Sequence, residues 1–237
     1  MSSSAIPAAP RRALRKQLIE RPPTLVAIVT ERVRKSIVEG EFKLGEYISE
    51  DRVATSLGVS RTPVREAMTG LQLQGLVNIQ PQRGTFVFLP TADEAAAMCE
   101  FRMIVECRAM ALSLARDKER ALERLRACNQ DMADALERGD GVASAHADSA
   151  FHNVLFAYCG NKYLAAAYAL LSPQIDALRN HLSRTVARNR PTAFGEHQEI
   201  IDAFGASDLS RAESLLSMHI FKMRGHYAEA LETKVLP

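Results

Sequence analysis

Apolar residues at Val26, Val29, Val33 and Ile37 recur three and four positions apart, the stripe of a helix that begins at Thr24 and is closed by Gly40 as its C-cap. Ile48, Val53, Ala54 and Leu57 predict a short second helix stopped at Gly58, and Ser60 is placed to cap a third that carries Val64, Met68 and Leu71 inward. After Gly75 the period changes from helical to alternating. Val77 and Ile79 run into Pro81-Gln82-Arg83-Gly84, and Thr85 to Phe88 run back out, a hairpin in which Gly84 can take a positive φ. Leu89-Pro90 ends it. From Thr91 onward the pattern is helical, with helices expected near 92–116, 118–138, 142–159, 161–188, 192–204 and 208–231, separated at Gly139-Asp140-Gly141, Gly160-Asn161, Pro191 and Gly205.

This order predicts a mainly α chain: a trihelical unit with a hairpin wing, then an all-helical bundle of about six helices. With 237 residues, 47% hydrophobic and 24% charged, there is material for two ordinary domains. We divide the chain into a flexible basic arm over 1–22, rich in Ser, Ala, Pro and Arg near its start, a small domain over 23–89 and a larger one over 90–237. The net charge of +2 conceals an asymmetry. Residues 1–91 hold 13 Lys and Arg against 8 Asp and Glu, and residues 92–237 hold 17 against 20, so only the first part suits a polyanion. The longest apolar runs fall short of the roughly 18–20 residues that span a bilayer, and no secretory leader opens the chain, so a cytoplasmic protein without a membrane partner is expected. Cys99, Cys107, Cys128 and Cys159 are dispersed, like small buried hydrophobes of a reducing compartment.

A helix, a tight turn at Gly58 and a second helix capped at Ser60 form the arrangement that sets the first turn of a recognition helix into a DNA major groove. Arg61 and Arg65 lie four apart on one face, and Thr62 can donate to a phosphate. Arg65 is the better candidate for a guanine, since a guanidinium donates two bonds to O6 and N7. Gln82, Arg83 and Gly84 stand at the wing tip, able to enter the minor groove or clasp the backbone. The alternative is that Arg61 and Arg65 are solvated surface residues and Pro63 merely occupies a first turn, where its missing N–H costs nothing. The run Gly58-Val59-Ser60-Arg61-Thr62-Pro63-Val64-Arg65-Glu66-Ala67, followed by Leu71, Gly75-Leu76-Val77 and Arg83-Gly84, resembles the GntR family of bacterial transcription regulators over residues 24–88. The resemblance implies a winged helix-turn-helix that binds a palindromic operator as a homodimer, with Arg61, Thr62, Arg65 and Gly84 at the DNA. Some members carry a contacting arginine early in the second helix, where this chain has Asp51 with Arg52 beside it. Either Arg52 takes over that contact or Asp51 alters which bases are tolerated.

In the larger domain Asp148 and His152 are four apart on one predicted helix, with His197 and His219 on two others. One carboxylate and three imidazoles suit a borderline divalent cation. Taken singly, each is as well read as a core or surface residue, like His146, His181 and His226 elsewhere in the chain. The sequence Asp148-Ser149-Ala150-Phe151-His152, then Gly160-Asn161, Glu196-His197 with Ile200-Ile201, and Met218-His219 looks like the FCD effector domain of the FadR-type branch, as does Arg102 to Glu106 upstream. This resemblance implies that Asp148, His152, His197 and His219 hold a divalent metal, zinc first, with nickel, manganese or iron as the others. It also implies a small carboxylate effector, with Arg102 pairing the anion bidentately. Arg102 instead fits a surface salt bridge to Glu106 at i,i+4; Arg179 and His181 are further pocket candidates. The function implied is a ligand-responsive bacterial transcription regulator, a repressor. The rivals are a metal-dependent enzyme with a DNA-binding appendage, for which Glu196 is the one candidate base and H-E-x-x-H is absent, and an effector-independent DNA binder with a structural metal.

Overall fold

A computed structural model of the chain describes residues 22–185 and 189–232, so the basic arm expected over 1–22 lies, but for its last residue, outside the described residues. The hydroxyl of Thr24 accepts from the Ala27 amide and starts α1 (Leu25–Val38), which ends two residues before Gly40, where φ is 70°. Ser49 caps α2 (Glu50–Leu57), and Gly58, at φ 65°, receives the turn into α3 (Arg61–Leu73). Strands β2 (Val77–Gln80) and β3 (Gly84–Val87) pair antiparallel. Val29, Val33, Ile37, Val64, Met68, Leu71 and Leu76 are fully buried between these elements, each contributing about 1.5–3 kcal/mol of burial.

Two local expectations change. Ile48 is not in the second helix. It forms β1 (Tyr47–Ile48), which pairs with β3 and makes a three-stranded sheet in the order β1-β3-β2. A two-residue strand has no period to read, and an apolar residue just ahead of a cap mimics the start of a helical stripe. Ser60 holds the N-cap position of α3, but its hydroxyl accepts no capping bond.

Beyond Leu89 and Pro90 the described residues are helical. Thr91 and Glu94 form a reciprocal capping box at the start of α4 (Ala92–Glu137). This helix covers both of the first two expected helices, and the break between them survives as a kink at Asp117, with φ −151° and ψ 54°. Arg116, next to the kink, donates to the Cys159 carbonyl at 2.7 Å and ties it to the end of α5 (Gly141–Tyr158). Then come α6 (Lys162–Thr185), α7 (Asn189–Gly205) and α8 (Leu209–Glu232). With α4 interrupted at Asp117, the bundle has six helical segments among the described residues, as expected. Pro191 falls in the first turn of α7 and does not precede it. Pro173 lies inside α6, where its ring removes one donor of the ladder. The long α4 packs along α5, α7 and α8, while α6 packs on α5 and also reaches α1 of the small domain.

Candidate metal centre and DNA-reading face

Three helices bring four side chains to one point inside the bundle. Asp148 and His152, one turn apart on α5, face His197 of α7 and His219 of α8, and their ligating atoms all lie within 4.8 Å of one another. His197 stacks on the Phe151 ring at 3.8 Å between centroids, which fixes its plane. The other two rings are held by carboxylates: His152 Nδ1 lies 2.6 Å from Glu106 Oε2, and His219 Nδ1 lies 2.6 Å from Glu196 Oε2. Each carboxylate accepts the Nδ1 proton and leaves the lone pair on Nε2. Those Nε2 atoms are 3.3 Å apart, and the Nε2 of His197 is 3.4 Å from that of His219.

Lone pairs facing one another in a buried cluster repel unless a cation lies between them. A zinc-like ion bonds each imidazole nitrogen at about 2.0–2.1 Å, which separates neighbouring ligand atoms by roughly 3.0–3.4 Å. The donor set, its spacing and its carboxylate backing therefore fit a divalent cation. The protonation states agree. Burial, with Arg179 and Arg102 nearby, pushes His152 well below the ordinary imidazole value, and burial with the His219 neighbour pushes His197 down to about 3. Both are neutral near pH 7, as metal ligation needs. Burial would raise the Asp148 carboxyl, but Arg179 and the three histidines outweigh it and hold it below the usual carboxylate range. Glu196 is likewise lowered to about 2, its burial outweighed by the bonds from His219 and Lys222.

Beside the cluster is a cavity of about 100 Å³, bordered by Asp148 and His219 and by two buried guanidinium groups, Arg102 and Arg179. A water needs roughly 10–15 Å³ on this measure, so a small organic acid has room. Arg102 is not at the surface. It is buried with Glu106, its Nε 2.7 Å from Oε1, which leaves Nη1 on the Met223 sulfur at 3.5 Å and Nη2 at 3.4 Å from the His152 ring nitrogens. These are weak partners for a guanidinium. Arg179, on α6, bonds Asp176 at 2.6 Å and Ser149 at 2.9 Å through Nη2, while its Nε and Nη1 have no hydrogen-bond acceptor among the described residues. Nη1 does approach Asp148 Oδ2 to 3.0 Å as an ion pair. His181 is buried outside the cavity lining. Arg179 carried only a faint signal in the sequence, and the pairing of Glu196 with His219 carried none, because no spacing within one helix records it.

On the small domain Arg52, Thr62 and Arg83 are exposed, as are Arg61 and Arg65 at the start of α3. Asp51 is engaged: its Oδ1 lies 2.8 Å from Arg61 Nε. Arg65 Nε is 3.3 Å from Glu50 Oε2, and the other oxygen of Glu50 accepts from Thr85 of the wing at 3.2 Å. Exposed pairs of this kind are worth about 0–1 kcal/mol, little enough for a phosphate or base to displace them. Gly84 has φ 109°, and a Cβ there would lie 2.5 Å from Tyr47 Cε2, so both backbone and space require glycine.

Residues 25–87 match the bacterial regulatory proteins of the gntR family, and residues 97–222, more than half of the chain, match the FCD domain. The chain belongs to the GntR family. Among its relatives, the HTH-type transcriptional regulator LutR of Bacillus subtilis is 26% identical over 78% of this chain and 92% of its own length. The HTH-type transcriptional repressor RspR of Escherichia coli is 24% identical over 79% of this chain and 82% of its own. A GntR transcriptional regulator from Rhodococcus sp. RHA1 has a TM-score of 0.76 at 24% identity, covering 86% of this chain and 98% of that one. E. coli McbR/YncC has a TM-score of 0.76 at 18% identity, covering 89% and 100%. At these identities the two structures attest the fold. The chain is thus a transcriptional regulator of GntR and FCD type, not an enzyme. GntR regulators bind operator DNA and an effector, and FCD domains commonly hold a metal. Among the described residues no helix is long and apolar enough to cross a membrane.

Proposed function

We propose that this GntR regulator senses a small organic acid at a divalent metal held by Asp148, His152, His197 and His219, and as a homodimer binds a palindromic operator whose affinity that acid sets. The observation that carries this reading is the convergence of three imidazole Nε2 atoms, two of them backed by carboxylates, beside a cavity bordered by two buried arginines. Zinc is the first choice, since three nitrogens and one carboxylate suit a borderline ion. The metal supplies positive charge for a carboxylate oxygen, while Arg102 and Arg179 orient the rest of the anion with donors that the fold leaves weakly bonded or unbonded. Metal analysis of the purified protein, followed by a thermal-shift screen of small carboxylates with and without the metal, tests it. An acid that raises the melting temperature equally without metal would contradict the reading.

For the DNA we assign Arg61, Thr62, Arg65 and Arg52 to the major-groove side and Arg83 and Gly84 to the wing, each head taking one half-site of the palindrome. Arg65→Ala is expected to cost about 1–3 kcal/mol of discrimination at one base pair. Operators selected in vitro by the variant should lose preference at that position, and an unchanged consensus would remove Arg65 from base reading. Binding should also weaken steeply with salt. Six phosphates neutralised across two heads give a slope of log K against log salt of about −5. A flat salt titration by fluorescence anisotropy would contradict the whole DNA-binding face.

A further inference from the structure

We infer that α6 is the strut by which the metal and acid site acts on the DNA-binding unit, through two side-chain amides that cap the C-terminal ends of α1 and α3. This rests on the site proposed above. Gln174 Nε2 donates to the carbonyl of Gln74, the C-cap residue of α3, at 2.9 Å. Asn180 Nδ2 donates to the carbonyl of Val38, the last residue of α1, at 2.6 Å. Carbonyls in the last turn of a helix have no partner within that helix, so each amide fills a vacancy that the sequence of the small domain does not fill.

Gly75 makes the first contact possible. A Cβ there would lie 1.8 Å from Gln174 Nε2, so only glycine lets the amide reach the end of the recognition helix. Between the two capping residues on the same helix stand Asp176, which bonds Arg179, and Arg179, which pairs with Asp148 and borders the cavity. The order along α6 is therefore cap, site, site, cap. Pro173 precedes the capping segment directly and interrupts the hydrogen-bond ladder there, with the Ser172 hydroxyl turned to the Ala169 carbonyl that the proline leaves without its usual donor. The segment after Pro173 can thus pivot as a unit.

A cation that takes the Asp148 carboxylate, or an anion that takes the open donors of Arg179, changes what holds Arg179. That change alters where residues 174–180 sit against α1 and α3. A second connection leaves α8, where the Tyr227 hydroxyl donates to the Pro90 carbonyl of the linker, and it serves as the comparison.

Amide hydrogen exchange on the full chain, stripped with chelator and reloaded with zinc, tests the inference, with bound zinc counted by elemental analysis. In the wild type, peptides over 36–42 and 72–78 should exchange at least about 5-fold more slowly with zinc, the lower end of typical allosteric coupling. Gln174→Ala with Asn180→Ala should still bind zinc but lose that difference, while Tyr227→Phe keeps it. A zinc-loaded wild type without the difference overturns the inference and leaves the metal site standing. So does a double variant that retains the difference, or its loss in Tyr227→Phe alone. A wild type that binds no zinc overturns the metal site itself, and the strut with it.

Discussion

Replacing Glu106 by alanine is expected to destabilise the folded chain by about 3–5 kcal/mol, the cost of leaving one member of a buried ion pair without its partner. Glu106 is fully buried, and its two oxygens do different work: Oε1 accepts from Arg102 Nε and Oε2 from His152 Nδ1. The alanine variant strands a guanidinium at 1% exposure and frees the imidazole it orients. Chemical denaturation should show the loss as a lower midpoint with an unchanged slope. The same residue separates stability from metal binding. Glu106→Gln keeps the shape and can still accept from Arg102, but its amide presents a donor to His152 and favours the tautomer whose Nε2 carries the proton. Metal affinity should then fall about 10–100-fold with a smaller loss of stability, as happens when the group backing a ligating histidine is altered. If Glu106→Gln binds metal as tightly as the wild type, the carboxylate does not set the tautomer.

Removal of His219 is expected to have the largest effect on metal. His219 is partly exposed and sits near the middle of the triad, with Nε2 atoms of the other two histidines at 3.3 and 3.4 Å. His219→Ala takes away a direct ligand, so the affinity for zinc should fall by more than the roughly 10–100-fold that backing residues command. The protein as purified should carry well under one ion per chain. His226→Ala provides the control, because His226 borders the same cavity without belonging to the ligand cluster. Equal metal content in His219→Ala, His226→Ala and the wild type would show that the cluster is no metal site.

Most of the architecture was legible because it is periodic. The stripe of α1, the Gly58 turn and the switch to alternation after Gly75 each leave a local signature, and all three stand in the structure. Strand β1 does not, since two residues beside a helix cap carry no period of their own. The boundary expected at 117 is present as the non-helical Asp117, a kink with no loop, and the bond from Arg116 to the Cys159 carbonyl ties it to the end of α5.

For the site, the four ligand candidates were visible as residue types, yet the spacing brought only Asp148 and His152 onto one face. Their meeting with His197 and His219 is a matter of helix packing, which resemblance anticipated and spacing did not. What the sequence concealed is the layer behind the ligands. Glu196 of α7 backs a histidine of the neighbouring α8, and Arg179 gains its meaning only from Asp148, Asp176 and Ser149 around it. Arg102 and Glu106 were visible as a pair, but an i,i+4 ion pair reads alike whether solvated or buried, and only packing reveals that it lies in the core.

The central claim is that occupancy of this site controls DNA binding. The direct test is the dissociation constant of an operator selected in vitro, measured with zinc-loaded protein against a panel of two- to six-carbon mono- and dicarboxylates. At least one acid should change it by about 5–150-fold, the usual span of allosteric coupling, and that change should vanish in Arg179→Met. An operator affinity that is the same with every acid at millimolar concentration would contradict the account.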